Sequence, residues 1–139
     1  MSQESVEIVR REYAAYATGD WEAFADLAHP DIQLESLDAG TFRGLEQLIG
    51  HFQVWRALFA EFRVEATEIV DLGDRMAVVE RFRARGMKGS DTETWLEQSY
   101  ARLISFKDGK IWRIKEFATL EKALEAVGLS EQDAHAEPS

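Results

Sequence analysis

The chain predicts an α+β domain, and three observations carry that prediction. Apolar residues recur at helical spacing through about the first 60 positions and switch to strict alternation afterwards. The later alternating segments are joined by "LGD", "GMKGSD" and "KDGK", connections too short for crossover helices, so they pair antiparallel. Fifteen aromatic residues in 139 supply more apolar area than a helical packing of this size needs.

Taken in order, residues 3 to about 18 place Val6, Val9, Tyr13, Tyr16 and Ala17 on one helical stripe that Gly19 stops. Asp20 caps a second helix with Trp21, Phe24 and Leu27 inward, ended at Pro30. "DIQLES" alternates as a short strand with Ile32 and Leu34 on one face, and "LDAGTFRG" is a turn-rich link. From Gly44 a third helix presents Leu45, Leu48, Phe52, Trp55 and Phe59. Residues 62–71, 74–86, 93–107 and 110–118 then read as four strands, and "LEKALEAVGL" as a short closing helix ended by Gly128. The expected organisation is one domain over residues 1–129, a bent sheet wrapped around the helical layer, with 130–139 a polar, frayed tail.

Composition excludes several function classes. The net charge of −10 disfavours nucleic acid, whose phosphates need clustered Lys and Arg; the run Arg81, Arg83, Arg85, Lys88 is read as a solvated strand end. There is no cysteine for disulfide, thiolate or thiolate–metal chemistry. No metal is expected, because His29, His51 and His135 lie far apart without HxH or HExxH spacing. "GTFRG" lacks the strand and helix context of a dinucleotide site, and no GxSxG occurs, so no cofactor and no hydrolase triad are expected. No apolar run approaches a membrane span and no leader pattern is present, from which no membrane association and a cytoplasmic location are expected.

The chemistry sits on one strand face. In "MAVVERFRAR" the even positions Met76, Val78, Glu80, Phe82 and Ala84 are apolar except for Glu80. The pattern recurs at Tyr100, Arg102, Ile104, Phe106 and again at Trp112, Ile114, Glu116, Ala118. A three-residue loop, Asp108-Gly109-Lys110, would pair Phe106 with Trp112 and set Arg102 across from Glu116, within reach of an ion pair. A two-residue loop would bury Arg113 and Lys115 instead. Buried charges are paired or line a wet cavity. One guanidinium fully compensates one carboxylate, so the other, expected to be Glu80, should have a raised pKa, the property of a general acid or base. Glu80, Arg102 and Glu116 are therefore the candidate catalytic residues. The competing reading is a structural salt-bridge network.

"YAAYATGDWEAFADLAHPDI", "GTFRGLEQL", "SFKDGKIWRI" and "LEKALEAVGL" resemble the SnoaL-like group of the nuclear transport factor 2-like superfamily, which includes steroid delta-isomerase and limonene epoxide hydrolase; the match spans roughly residues 4 to 129. The resemblance implies a cone-shaped α+β barrel, a strongly curved, mostly antiparallel sheet folded over three N-terminal helices with a short C-terminal helix, and a pocket between them. It also implies a homodimer through the outer sheet face. A small apolar molecule there would meet Tyr13, Tyr16, Trp21, His51, Phe52, Trp55, Phe82, Tyr100 and Trp112. Steroid-isomerase chemistry does not carry over: its tyrosine position falls on Glu12, its base position on or near Ser36, and its protonated-acid position on Arg102. Glu80, Arg102 and Glu116 are similar in kind to the two acids and arginine of the epoxide hydrolases, without matching their motif positions. Two functions stand side by side: a cofactor-independent isomerase, cyclase, hydratase or epoxide-hydrolase-like enzyme acting on a small oxygen-containing metabolite, and a non-catalytic binding or dimerisation module.

Overall fold

The computed structural model describes residues 3–87 and 94–129. Helix α1 (Gln3–Thr18) buries Ser5, Val9, Glu12, Ala15 and Tyr16, a stripe at i+3 and i+4 that includes a glutamate. Its end is set by Gly19 at φ +70°. Helix α2 (Trp21–Leu27) starts where the Asp20 side chain accepts the Ala23 N–H. It ends before Pro30, because Ala28 is already extended and opens strand β1 (Ala28–Glu35). Pro30 lies in the stretch where the β1 register shifts, a place in a sheet where a missing N–H costs least.

The link expected after β1 contains a further short strand, β2 (Thr41–Arg43), antiparallel to β1. Helix α3 (Leu45–Ala57) follows and buries Leu48. It ends sooner than its apolar stripe suggests, since Phe59 belongs to β3 (Phe59–Asp71). Strands β4 (Arg75–Met87), β5 (Leu96–Lys107) and β6 (Lys110–Phe117) complete an open six-stranded sheet of order β2-β1-β6-β5-β4-β3. All pairs are antiparallel except β1 with β6.

The even-numbered face of β4 turns inward: Met76, Val78, Glu80, Phe82 and Ala84 are all buried, while Arg81, Arg83 and Arg85 remain partly exposed. The principal core joins Val9, Phe24 and Leu48 of the helices to Ile32, Leu34, Met76, Val78, Ile104 and Ile114 of the sheet. Helix α4 (Leu120–Glu125) packs on the opposite face, where Leu120 and Leu124 cover Val70 and Ala77. Ala77 is thus buried despite its outward parity. Among the described residues no helix is long and apolar enough to cross a membrane.

The β5–β6 turn differs from the three-residue loop expected. Asp108 and Gly109 both take positive φ, 54° and 74°, as a two-residue type I′ turn requires, and Lys107 faces Lys110. Phe106 therefore pairs with Ile111, not Trp112, and a register shift beyond it sets Ser105 across from Arg113. Trp112 is the extra residue of this bulge, held between Arg113 at 4.1 Å and Lys107 at 5.1 Å from its ring centroid. The bulge restores the parity that the short turn would have inverted, so Arg102 still faces Glu116.

On the outer face the basic run is paired: Arg81 with Glu65, Arg85 with Glu61, and Arg83 with Glu97 at 3.7 Å. Arg83 and Arg85 also lie over the Trp95 ring at 5.1 and 4.9 Å. Lys88, the histidine at position 135 and the tail from residue 130 lie outside the described residues.

Candidate functional site

A cavity of about 140 Å³ opens between α1, α3, the 36–39 link and the inner faces of β3 to β6. Alternation along β4 delivers Glu80 and Phe82 to its wall, β5 delivers Gln98, Tyr100 and Arg102, and β6 delivers Glu116. Tyr13, Tyr16 and Glu12 enter from α1, and His51, Phe52 and Trp55 from α3.

Arg102 is the centre of the charge arrangement. It is 4% exposed, a position in which an unpaired guanidinium would cost several kcal/mol. Its partner is Glu12, itself 3% exposed. Nη2 donates to Glu12 Oε2 at 2.6 Å and Nη1 to Glu12 Oε1 at 3.0 Å, the parallel fork that guanidinium and carboxylate make best. Nη1 also donates to the Tyr13 hydroxyl at 3.1 Å and stands 3.9 Å from Glu80. The ion pair expected with Glu116 does not form: although the two residues are cross-strand neighbours, Glu116 Oε1 accepts the Leu37 N–H at 2.9 Å and faces the link.

Glu80 is consequently a buried carboxyl whose nearest cation, Arg102 at 3.9 Å, is committed to Glu12. Tyr13 donates to its Oε1 at 2.6 Å and Tyr100, its neighbour across β4 and β5, donates to Oε2. Burial pushes its pKa up to about 7; Arg102 and the Tyr13 hydrogen bond oppose the rise, and the charges of Glu12 and Glu116 add to it. Near neutral pH both protonation states are populated. Burial likewise raises the Tyr13 and Tyr16 phenols well above the usual tyrosine range, with Glu80 contributing to both, so they remain neutral donors. Burial works against the Arg102 charge, but Glu12 and its neighbours more than offset it and the guanidinium stays charged. His51, stacked on Phe42 at 4.0 Å, has its pKa lowered by burial in spite of Glu116 and Asp38 and is neutral at physiological pH.

Of the residues singled out in the sequence, Glu80, Arg102, Glu116, Tyr13, Tyr16, His51, Phe52, Trp55, Phe82 and Tyr100 lie on the cavity wall. Two do not. Trp21 packs behind the wall against Tyr16, Phe24 and Phe52. Trp112 is turned out by its bulge. Sequence reasoning did not select Glu12, Phe62, Val64, Gln98 or the 36–39 link as wall residues. Glu12 had a signal: it falls three after Val9 and four before Tyr16, on the buried stripe. Among the described residues no group of three or more His, Asp or Glu side chains could hold a metal ion. His29 lies at the start of β1, its Nδ1 accepting the Asp31 N–H at 3.0 Å and its Nε2 3.6 Å from Asp108 of the β5–β6 turn.

The combination of an open sheet curved over three helices and a largely apolar cavity with a few charged groups between them defines a recognised class. The SnoaL-like domain matches residues 9–114, and the chain belongs to that family. Among solved structures, a protein of ketosteroid isomerase-like fold from Catenulispora acidiphila, in complex with trimethylamine, is 23% identical with a TM-score of 0.70, over 95% of this chain and 98% of that one. A candidate SnoaL-like polyketide cyclase from Jannaschia sp. CCS1 is 18% identical with a TM-score of 0.72, over 98% and 94%. A candidate polyketide cyclase from Sinorhizobium meliloti is 20% identical with a TM-score of 0.66, over 79% and 93%. No curated protein matches the chain.

Proposed function

We propose that the cavity is a reaction site in which Glu80 moves a proton to or from a small, largely apolar molecule bearing a carbonyl, hydroxyl or epoxide oxygen. The observation that carries this reading is the diversion of Arg102 to Glu12, which leaves Glu80 buried, held by two phenols and poised near neutrality. A carboxyl with a pKa close to the working pH both accepts and returns a proton at low cost. When it is ionised, Tyr13 and Tyr100 donate to it; when it is protonated, one phenol is free to turn to a substrate oxygen and stabilise charge developing there. Arg102 acts through Tyr13 and through its field at 3.9 Å, and stabilises the ionised state without leaving Glu12. Isomerisation, cyclisation, dehydration and hydration each need such a relocated proton beside a polarised oxygen. The likeness to candidate polyketide cyclases supports a small-molecule pocket of this fold, while Glu12, a residue on or near Ser36, and Arg102 at the steroid-isomerase positions speak against that particular mechanism.

The competing reading, a carrier or sensor cavity, draws on one observation: both oxygens of Glu80 are already satisfied. A small cyclic ketone incubated with the protein in deuterated water separates the two. Saturable exchange at the carbon next to the carbonyl, rising with pH through about 7 and lost in Glu80→Gln while ligand-induced NMR shifts persist, supports catalysis. Exchange undiminished in Glu80→Gln removes Glu80 from the role, and binding without exchange favours the carrier.

A further inference from the structure

The cavity is electrostatically lopsided, and its charge selects a ligand class. Among the described residues that line it, the only Lys or Arg is Arg102. That guanidinium is committed to Glu12 through two short contacts, and the two form a buried, internally neutral unit. His51, the remaining basic side chain on the wall, is kept neutral by burial. What faces the open volume is acidic: Glu80 at depth, Glu116 half-buried, and Asp38 exposed in the link. Among the described residues, no Lys or Arg nitrogen lies within 4.0 Å of a Glu116 or Asp38 carboxylate, and the only hydrogen bond to Glu116 comes from the Leu37 N–H.

The rest of the wall is aromatic. Tyr16 meets Phe52 and Phe62 at 5.0 and 5.4 Å between ring centroids, and Phe82 meets Phe62 and Trp55 at 5.0 and 5.4 Å. Rings of this kind carry a negative face that attracts organic cations. An anion entering this space would lose its hydration and meet Glu116 and Asp38, with no uncommitted cation among the described wall residues. A cation finds counter-charges and an aromatic surface that desolvates it at little cost, and the overall charge of −10 steers it inward. The volume of about 140 Å³ is close to that of a cavity that holds one benzene ring (~150 Å³), so the enclosed space takes a single ring and a substituent must extend into the mouth.

We propose that the cavity takes an organic cation, a protonated amine or quaternary ammonium carried on a single-ring-sized apolar frame. This rests on the reading of the cavity as a small-molecule site and narrows its ligand to one charge class. Benzylammonium, benzyl alcohol and benzoate share a frame and differ in charge, so they separate the two statements. Each is titrated into the full chain and followed by the NMR signals of Trp55 and Val64 on the wall. The expected order is benzylammonium first, about tenfold tighter than the alcohol, with benzoate weakest. Glu116→Gln, which keeps an oxygen for the Leu37 N–H, should narrow the gap between ammonium and alcohol by about threefold. Asp38→Asn, in the exposed link, serves the same purpose if Glu116→Gln fails to fold. Equal binding of alcohol and ammonium, or tightest binding of benzoate, overturns the cation assignment and leaves the cavity a binding site. A gap unchanged in both variants overturns its electrostatic cause. No shift at Trp55 or Val64 with any of the three overturns both the assignment and the small-molecule reading.

Discussion

Replacing Glu80 with glutamine should change how stability depends on pH, by an amount that follows from the site. The Glu80 carboxyl moves from an ordinary value of 4.5 to about 7 on folding. Between those limits the folded chain holds a proton that the unfolded chain has lost, so the unfolding free energy falls as pH rises. The slope is about 1.4 kcal/mol per pH unit, and over the window from 4.5 to 7 it sums to about 3 kcal/mol. Below 4.5 both states are protonated, above 7 both are ionised, and the contribution is level on either side. Glutamine has the same shape and does not titrate: its oxygen can accept from Tyr13 and its amide can donate to the Tyr100 oxygen. Urea unfolding of wild type and Glu80→Gln across this range isolates the effect, because every other titrating group is common to both. Wild type should lose about 3 kcal/mol relative to the variant between pH 4.5 and 7. A difference that stays level through the window would show that Glu80 titrates normally, and the proposal of a poised proton-transfer group would fall with it.

The neighbours of Glu80 should move its titration in opposite directions. Tyr13→Phe removes a hydrogen bond to the ionised carboxyl and should raise the midpoint above 7, whereas Glu12→Gln removes a negative charge and releases Arg102 toward Glu80, and should lower it; carbon-13 NMR of the carboxyl reads both, and shifts of the same sign would contradict the arrangement. Arg102→Leu strands the Glu12 carboxylate and should cost about 3–5 kcal/mol in urea unfolding, most of it recovered when Glu12→Leu is added; additive losses would mean that the two residues are not a buried pair. Gly86→Ala should lower stability by about 1–3 kcal/mol, since Gly86 has φ +72° and an added Cβ would lie 2.7 Å from the Ala60 Cβ; an unchanged melting temperature would dispute that approach of β3 and β4.

Much of this architecture was legible in the chain because it is local. A change of apolar period from 3.6 to 2 needs no knowledge of what the elements pack against, and it marks the helices and the four long strands to within a few residues. Parity along a strand is equally local, so Glu80, Arg102 and Glu116 are assignable to one face from the chain alone. The β5–β6 turn shows where local reasoning stops. Two wrong steps, a longer loop and no bulge, cancel to give the correct Arg102–Glu116 register while misplacing Trp112. Bulges relieve a conflict between turn geometry and burial, and only the assembled sheet reveals which residue is turned out.

From the sequence alone it followed that a curved sheet would carry three charges on its inner face and that one guanidinium would leave a carboxyl uncompensated, since these depend on alternation and on counting charge. Which acid would claim Arg102 was a matter for the tertiary structure. The claimant is Glu12, ninety positions away on α1, and it holds the guanidinium at 2.6 Å while Glu116 is drawn to the link. Ion pairing in a buried site is decided by distances of an ångström between elements remote in the chain, and such distances exist only once helix and sheet have packed.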